Sequence, residues 1–174
     1  MDATRTALVT GGNRGIGRAL CHGLADRGLH VILGSRYETN GEEAAAPIRE
    51  RGGSVRVEQL DVIETASIRA CKERLEADDV TVDVLINNAG VYPEGDALEA
   101  TIDQLDQSWT VNTRGPWLLV KAFVPGMIER GYGRVVNVSS GSGSFGEGLD
   151  SGHAAYAASK AALNVLTMTL DDAI

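Results

Sequence analysis

The eight residues Thr10-Gly11-Gly12-Asn13-Arg14-Gly15-Ile16-Gly17 constrain this chain more than any other stretch. An apolar run, Thr6 to Thr10, leads into them. A helical pattern leads out, with Ile16, Leu20 and Leu24 on one face and a stop at Gly28. Leu29 to Leu33 then reads as a second strand. Strand, glycine turn, helix and strand in that order make a βαβ unit. In that context glycines let the backbone approach a pyrophosphate, and the helix N-terminus supplies N–H donors and positive potential. A glycine turn that only closes a loop is the alternative.

The rest of the chain repeats the alternation. A helix is expected from Gly41 to Arg51, interrupted near Pro47, and a third strand from Val55 to Leu60, ending at Asp61-Val62. A helix from Glu64 to Ala77 lacks a capping Ser or Thr at Ile63. Val82 to Ile86 reads as a fourth strand and runs into Asn87-Asn88-Ala89-Gly90. A helical region from Leu98 to Arg130 is expected to break near Gly115-Pro116, where Pro116 can start a second helix. Arg134 to Val138 is the fifth strand. Gly141 to Ala155 reads as a mobile active-site loop, followed by a last helix to Ile174. Strands alternating with helices predict an α/β fold, a doubly wound parallel sheet forming one dinucleotide-binding domain over residues 1–174. Ligands bind such sheets at the carboxyl ends of the strands. Asn13, Arg14, Arg36, Asp61, Asn87, Asn88, Ser139 and Ser140 fall at those ends or just past them.

Tyr156 and Lys160 are four residues apart and share a face of the last helix. A phenol titrates near 10, and an adjacent ammonium favours the phenolate, so the pair suits proton exchange near neutral pH. A hydroxyl at Ser139 or Ser140 could polarise the same substrate oxygen. An ordinary solvated helix face is the alternative, and the clustering of polar residues at strand ends argues against it.

Composition narrows the function classes. A formal net charge of −8 argues against a nucleic-acid or anionic-membrane partner. No stretch approaches the roughly 18 apolar residues of a membrane span. The start, Met1 to Thr6, lacks an apolar signal core, so cytoplasm is the expected location. Cys21 and Cys71 read as buried thiols rather than a disulfide or metal pair, and the three histidines are scattered, so no metal site is expected.

Taken together, Thr10-Gly11-x-x-x-Gly15-x-Gly17, Asp61-Val62, Asn87-Asn88-Ala89-Gly90, Asn112, Ser140 and Tyr156-x-x-x-Lys160 resemble the short-chain dehydrogenases/reductases over nearly the whole chain. The resemblance implies a Rossmann fold, a nicotinamide cofactor, and hydride transfer between that cofactor and a carbonyl or alcohol substrate. It implies a catalytic set of Asn112, Ser140, Tyr156 and Lys160. On this resemblance Tyr156 would be the acid/base, and Ser140, the second serine of its pair, would stabilise the substrate oxygen. Lys160 assists Tyr156 and binds the nicotinamide ribose, and Asn112 holds a water in a relay to Lys160. Cofactor contacts are implied for Gly11, Asn13, Arg14, Gly15, Ile16, Gly17, Arg36, Asp61, Val62, Asn88, Ala89 and Gly90, with Tyr156 and Lys160.

An NAD site wants Asp or Glu at the end of the second strand. Here that end reads Gly34-Ser35-Arg36. Arg36 is a donor fork suited to a 2′-phosphate, and Arg14 adds a second positive charge, so NADP(H) is expected. An Arg36–Glu38 ion pair is the alternative. Family members continue through a sixth strand, a substrate-covering segment and a seventh strand, whereas this sequence ends at Ile174. The expectation is therefore an incomplete Rossmann domain whose full-length form is a homo-oligomer, acting on a small or medium organic carbonyl. A non-catalytic NADP-binding module and a sugar-nucleotide epimerase or dehydratase are the rival readings.

Overall fold

The computed structural model describes residues 4–146 and 148–171. They form two compact units. The first comprises the chain up to Ala89 together with Leu118–Val136, and the second Gly90–Trp117 together with the residues from Asn137 onward.

The first unit carries the sheet. In chain order come β1 (Thr6–Thr10), α1 (Gly15–Ala25), β2 (His30–Ser35), α2 (Glu38–Glu50), β3 (Val55–Gln59), α3 (Thr65–Ala77) and β4 (Val84–Asn87). The strand order is β3-β2-β1-β4-β5, where β5 is Arg134–Asn137. The pairings β1–β2, β1–β4 and β2–β3 are all parallel, with Thr6 opposite His30, Ala7 opposite Val84, and Val31 opposite Val55. Every residue of β1 is buried, as a strand covered on both faces must be, and this explains its unbroken apolar interior. Leu8, Ile32, Leu33 and Leu85 are fully buried, each contributing about 1.5–3 kcal/mol of apolar burial. Strand order reverses between β1 and β4, the place where open α/β sheets hold ligands.

Two expectations for this unit are corrected. α1 buries Gly17, Cys21 and Ala25, whereas Leu20 and Leu24 are half-buried and Ile16 is 65% exposed. Small residues win because the helix start lies so close to the glycine turn: a Cβ on Gly17 would stand 2.3 Å from the Gly11 carbonyl oxygen. α2 starts at Glu38 and passes through Pro47 without interruption. Both cysteines are free and buried, and burial pushes each thiol up to about 12.

The second unit holds α4 (Ile102–Trp109) and α6 (Ala154–Asp171), and the short 3₁₀ turn Gly141–Gly143. α4 starts at a reciprocal cap in which the Thr101 hydroxyl accepts from the Gln104 N–H while the Gln104 side chain accepts from the Thr101 N–H. The expected break at Gly115-Pro116 is instead a π-helical turn, Thr110–Arg114, that leads straight into α5 (Gly115–Glu129). Pro116 is the second residue of α5. α6 begins at Ala154, and the end expected for it at Ile174 lies outside the described residues. No helix among the described residues is long and apolar enough to cross a membrane.

Candidate active site

The glycine turn is braced by one hydroxyl. Thr10 Oγ1 donates to the Ile86 carbonyl (3.3 Å) and accepts from the backbone N–H groups of Asn88 and Ala89 (3.0 Å each). The Asn88 side chain donates to the carbonyls of Thr10 (2.8 Å) and Gly11 (3.3 Å). A Cβ on Gly11, at φ +63°, would lie 3.1 Å from Ala89 Cα, so the turn and the Asn88-Ala89 segment touch through bare backbone. Gly15, at φ +53°, is different: a Cβ there would meet nothing within 4 Å. The start of α1 carries no capping side chain and no acidic residue of its own, which fits a phosphate group of a dinucleotide.

The other expected cofactor residues fall where strands end. Arg36 directly follows β2, exposed, with its guanidinium 4.8 Å from the Tyr37 ring centroid. Among the described residues it makes no ion pair, so the Arg36–Glu38 alternative is not the arrangement found. Arg14 is exposed at the cap position of α1, and Asn13 is half-buried beside it. Asp61 shapes the turn after β3, with Oδ1 accepting from the Ile63 N–H (3.2 Å), and Val62 is buried. Gly90 is exposed at the start of the second unit.

In the second unit, Tyr156 and Lys160 do share a face of α6: the Lys160 Nζ stands 5.7 Å from the Tyr156 ring centroid. Lys160 is only 5% exposed and donates to the Val138 carbonyl at 2.6 Å. Loss of solvent pushes its ammonium down to about 8. Ser139 and Ser140 are committed differently. The Ser139 hydroxyl donates to Asn164 Oδ1 at 2.6 Å. Ser140 caps the 3₁₀ turn, accepting from the Ser142 N–H, and spends its proton on a longer 3.2 Å bond to the Ser142 hydroxyl.

Asn112 lies inside the π-turn and is completely buried. Its Oδ1 accepts from the Val91 N–H, and its amide donates to the Val91 carbonyl and to Ser159 Oγ, all at 2.9 Å. Both side-chain donors are thus consumed in joining the Val91 segment to α6. Ser159 in turn donates to the Tyr156 carbonyl (2.7 Å), and Thr113 Oγ1 donates to the Ser159 carbonyl (2.9 Å).

Several residues that build this site carry no sequence signal of their own. Asn164 accepts from Ser139 and donates to the Gly143 carbonyl, tying both ends of the serine turn to α6. Its one hint is its place a helical turn beyond Lys160. Gly143 lies so close to α6 that a Cβ would meet Ala161 N at 2.6 Å and the Lys160 carbonyl carbon at 2.7 Å. The expected mobile loop is therefore pinned at its start. It is also pinned at its end, where Gly95 and His153 form a bridge: the Gly95 N–H donates to the Gly152 carbonyl (2.8 Å) and the Ala154 N–H to the Gly95 carbonyl (3.0 Å).

A family model described as short chain dehydrogenase matches residues 5–174. An uncharacterized oxidoreductase of Bacillus subtilis, YxbG, is 35% identical over 167 residues, covering 95% of this chain and 60% of that protein. A gluconate 5-dehydrogenase from Burkholderia cenocepacia, solved in complex with NADP and tartrate, superposes with a TM-score of 0.90 at 32% identity, over 98% of this chain and 65% of that one. A metagenomic short-chain oxidoreductase, solved in complex with NADP, gives 0.86 at 33% identity, over 95% of this chain and 74% of that one. The chain spans about 60% of the length of curated relatives such as YxbG. With its parallel Rossmann-type sheet, its glycine turn and its Tyr156-x-x-x-Lys160 helix, the chain belongs to the short-chain dehydrogenase/reductase family of oxidoreductases.

Proposed function

We propose that the protein carrying this chain transfers a hydride between NADP(H) and a small carbonyl or alcohol substrate, with Tyr156 as the acid/base. The observation that carries the reading is the burial of Lys160 on the same helix face as Tyr156, 5.7 Å from its ring. A buried ammonium with one carbonyl partner is costly unless its charge is used. Bound NADPH would supply the hydride to the carbonyl carbon. Tyr156 would then give its hydroxyl proton to the carbonyl oxygen, and in oxidation take it back. Ser140 is the better donor to that oxygen, because its bond to Ser142 is long and easily exchanged while Ser139 is held at 2.6 Å. Lys160 would hold positive charge beside Tyr156 and reach the nicotinamide ribose. Asn112 would keep Val91 and Ser159 in place, and a relay water would have to use its remaining Oδ1 lone pair or a backbone carbonyl of the π-turn.

The preference for NADP(H) over NAD(H) rests on Arg14 and Arg36, both exposed and neither paired with a carboxylate among the described residues, and on the two neighbours solved with NADP. Exposed Ile16 suits an apolar surface that a cofactor would cover. Exposed Leu98, Phe145, Leu149 and Met168 suit the homo-oligomer. The test is NADPH oxidation across a panel of carbonyl compounds, repeated with Ser139→Ala and Ser140→Ala. Turnover should fall further for Ser140→Ala. Absence of turnover with every carbonyl, in protein that binds NADPH, would leave the non-catalytic module as the surviving reading.

A further inference from the structure

A second cluster of polar side chains abuts Tyr156, and the proton chemistry above does not use it. Tyr92 comes from the segment after β4, and Asp150 and His153 from the approach to α6. The Gly95–His153 bridge brings the two segments together, with Gly95 at φ +132°, where a Cβ would lie 3.1 Å from Ala100 N. The Tyr92 and His153 rings stack, with centroids 3.9 Å apart and planes 19° from parallel. The Tyr92 hydroxyl donates to Asp150 Oδ2 at 3.1 Å, and His153 Nδ1 lies 2.9 Å from the same oxygen. The other edge of this assembly is the catalytic tyrosine: the Tyr92 and Tyr156 rings meet edge to face, 4.5 Å between centroids at 87°.

The two tyrosines stand in opposite fields. Tyr156 faces the Lys160 ammonium. Tyr92 faces a carboxylate, and desolvation, followed by Asp150, holds its phenol above the usual value. The bond from His153 holds the Asp150 carboxyl below its usual range. Tyr92 therefore keeps its proton and is no rival acid/base for Tyr156. Ionised Asp150 can only accept, so it holds the Tyr92 hydroxyl and His153 Nδ1, which themselves lie 3.0 Å apart. Nε2, the outer ring nitrogen, is left to pair with a ligand. Among the described residues Nε2 has no hydrogen-bond partner, and the side chain keeps 22% exposure.

We propose that Tyr92 and His153, fixed by Asp150, form the wall that orients substrate against Tyr156, and that His153 Nε2 forms a hydrogen bond with a hydroxyl on the carbon next to the reacting carbonyl. The substrate class is then an α-hydroxy ketone or aldehyde and the corresponding vicinal diol. This rests on the reading of Tyr156 as acid/base. Tyr92 and His153 are positioning and specificity residues: the Tyr92 ring limits the tilt of the Tyr156 ring, and His153 selects the hydroxyl. A site built to pair with a substrate hydroxyl rejects the analogue lacking it, because its own polar atom is left without a partner.

The experiment compares 1-hydroxy-2-butanone with 2-butanone in NADPH-dependent reduction. The parent enzyme should favour the hydroxy ketone by about tenfold or more in kcat/KM. His153→Phe keeps a ring to stack on Tyr92 and loses Nε2, so that ratio should fall to about two or below, through KM as well as kcat. Asp150→Asn weakens the hold on the His153 ring and should lower the same ratio several-fold, giving a second reading if His153→Phe folds poorly. Tyr92→Ala should cost kcat on both ketones, and Tyr92→Phe, which retains the ring against Tyr156, should restore most of it. A parent that reduces both ketones equally, or a ratio unmoved by His153→Phe and Asp150→Asn, overturns this inference alone. A parent that binds NADPH and reduces neither overturns it together with the reading of Tyr156.

Discussion

The glycine turn after β1 and the serine turn after β5 are built on opposite plans. The first brings backbone against backbone, braced by two side chains: Gly11 lies against Ala89 and Gly17 against the Gly11 carbonyl, while the Thr10 hydroxyl closes three bonds and the Asn88 amide two, all to main-chain groups. Its working surface is N–H groups, and side chains are mostly kept away. The second is held largely side chain to side chain: Ser139 to Asn164, Asn112 to Ser159, Tyr156 against Tyr92, with Lys160 on the Val138 carbonyl. Binding a phosphate needs fixed dipoles, which glycine and a helix start supply without moving parts. Moving a proton needs groups that can change charge, and these must be adjustable and desolvated at once.

The contrast is broken most sharply by Tyr156→Phe. It should lower carbonyl reduction by about 10²–10⁴ while NADPH affinity, read by fluorescence titration, stays within about twofold. A parallel loss of affinity would show that the two plans are not separable. Gly17→Ala should do the reverse. Its Cβ would collide with the Gly11 carbonyl oxygen at 2.3 Å, so about 1–3 kcal/mol of stability should be lost to overpacking. NADPH binding should go with it, seen by thermal melting with and without cofactor. Arg36→Asp replaces a free donor fork with a carboxylate at the end of β2. It should weaken NADPH by about tenfold to a hundredfold, the worth of a charged hydrogen bond, and shift preference towards NADH. Equal affinities for the two cofactors in the parent would refute the assignment of Arg36.

The smallest effect concerns Lys160. Its folded value is about 8 against 10.5 for an ordinary lysine. Between those values the unfolded chain binds more protons than the folded one, so stability from this group rises with pH across the window. The cost of burying the charge is fully present below pH 8 and fades as pH approaches 10.5. Cofactor-free protein should therefore gain stability relative to Lys160→Met when melted at pH 10 rather than pH 7.5. A constant difference between the two would mean that the ammonium is not desolvated in solution.

The same contrast explains what could be read in advance. β1 was legible to the residue, because a strand buried on both faces is a continuous apolar run and the glycines after it have a steric purpose. Tyr156 and Lys160 were legible because their spacing is the helix period. The packing face of α1 was not: Ile16, Leu20 and Leu24 make an apolar stripe, but a close approach of backbones selects Gly17, Cys21 and Ala25. Tyr92, Asp150 and His153 were not legible either. Tyr92 lies 58 and 61 residues from the other two, and their meeting depends on a bridge at Gly95 that no periodicity announces. Asn164 and Gly143 escaped for the same reason, since what matters about them is the element they touch.

The π-turn at Thr110–Arg114 makes this stretch sensitive to its length as well as to its side chains. A π-turn accommodates one residue more than an α-turn, and each residue of an α-helix advances its direction by about 100°. Removing a single residue upstream of Asn112 in this turn, Thr110 for instance, would let the helix close into regular α geometry. It would also swing the Asn112 amide by about that angle, away from Val91 and Ser159. Every buried apolar residue of the sheet would be untouched, yet the Val91 segment would lose the tie to α6 that Asn112 supplies. At this point the chain is specified by counting, and a frame-preserving deletion would be more damaging than most exchanges of one residue for another.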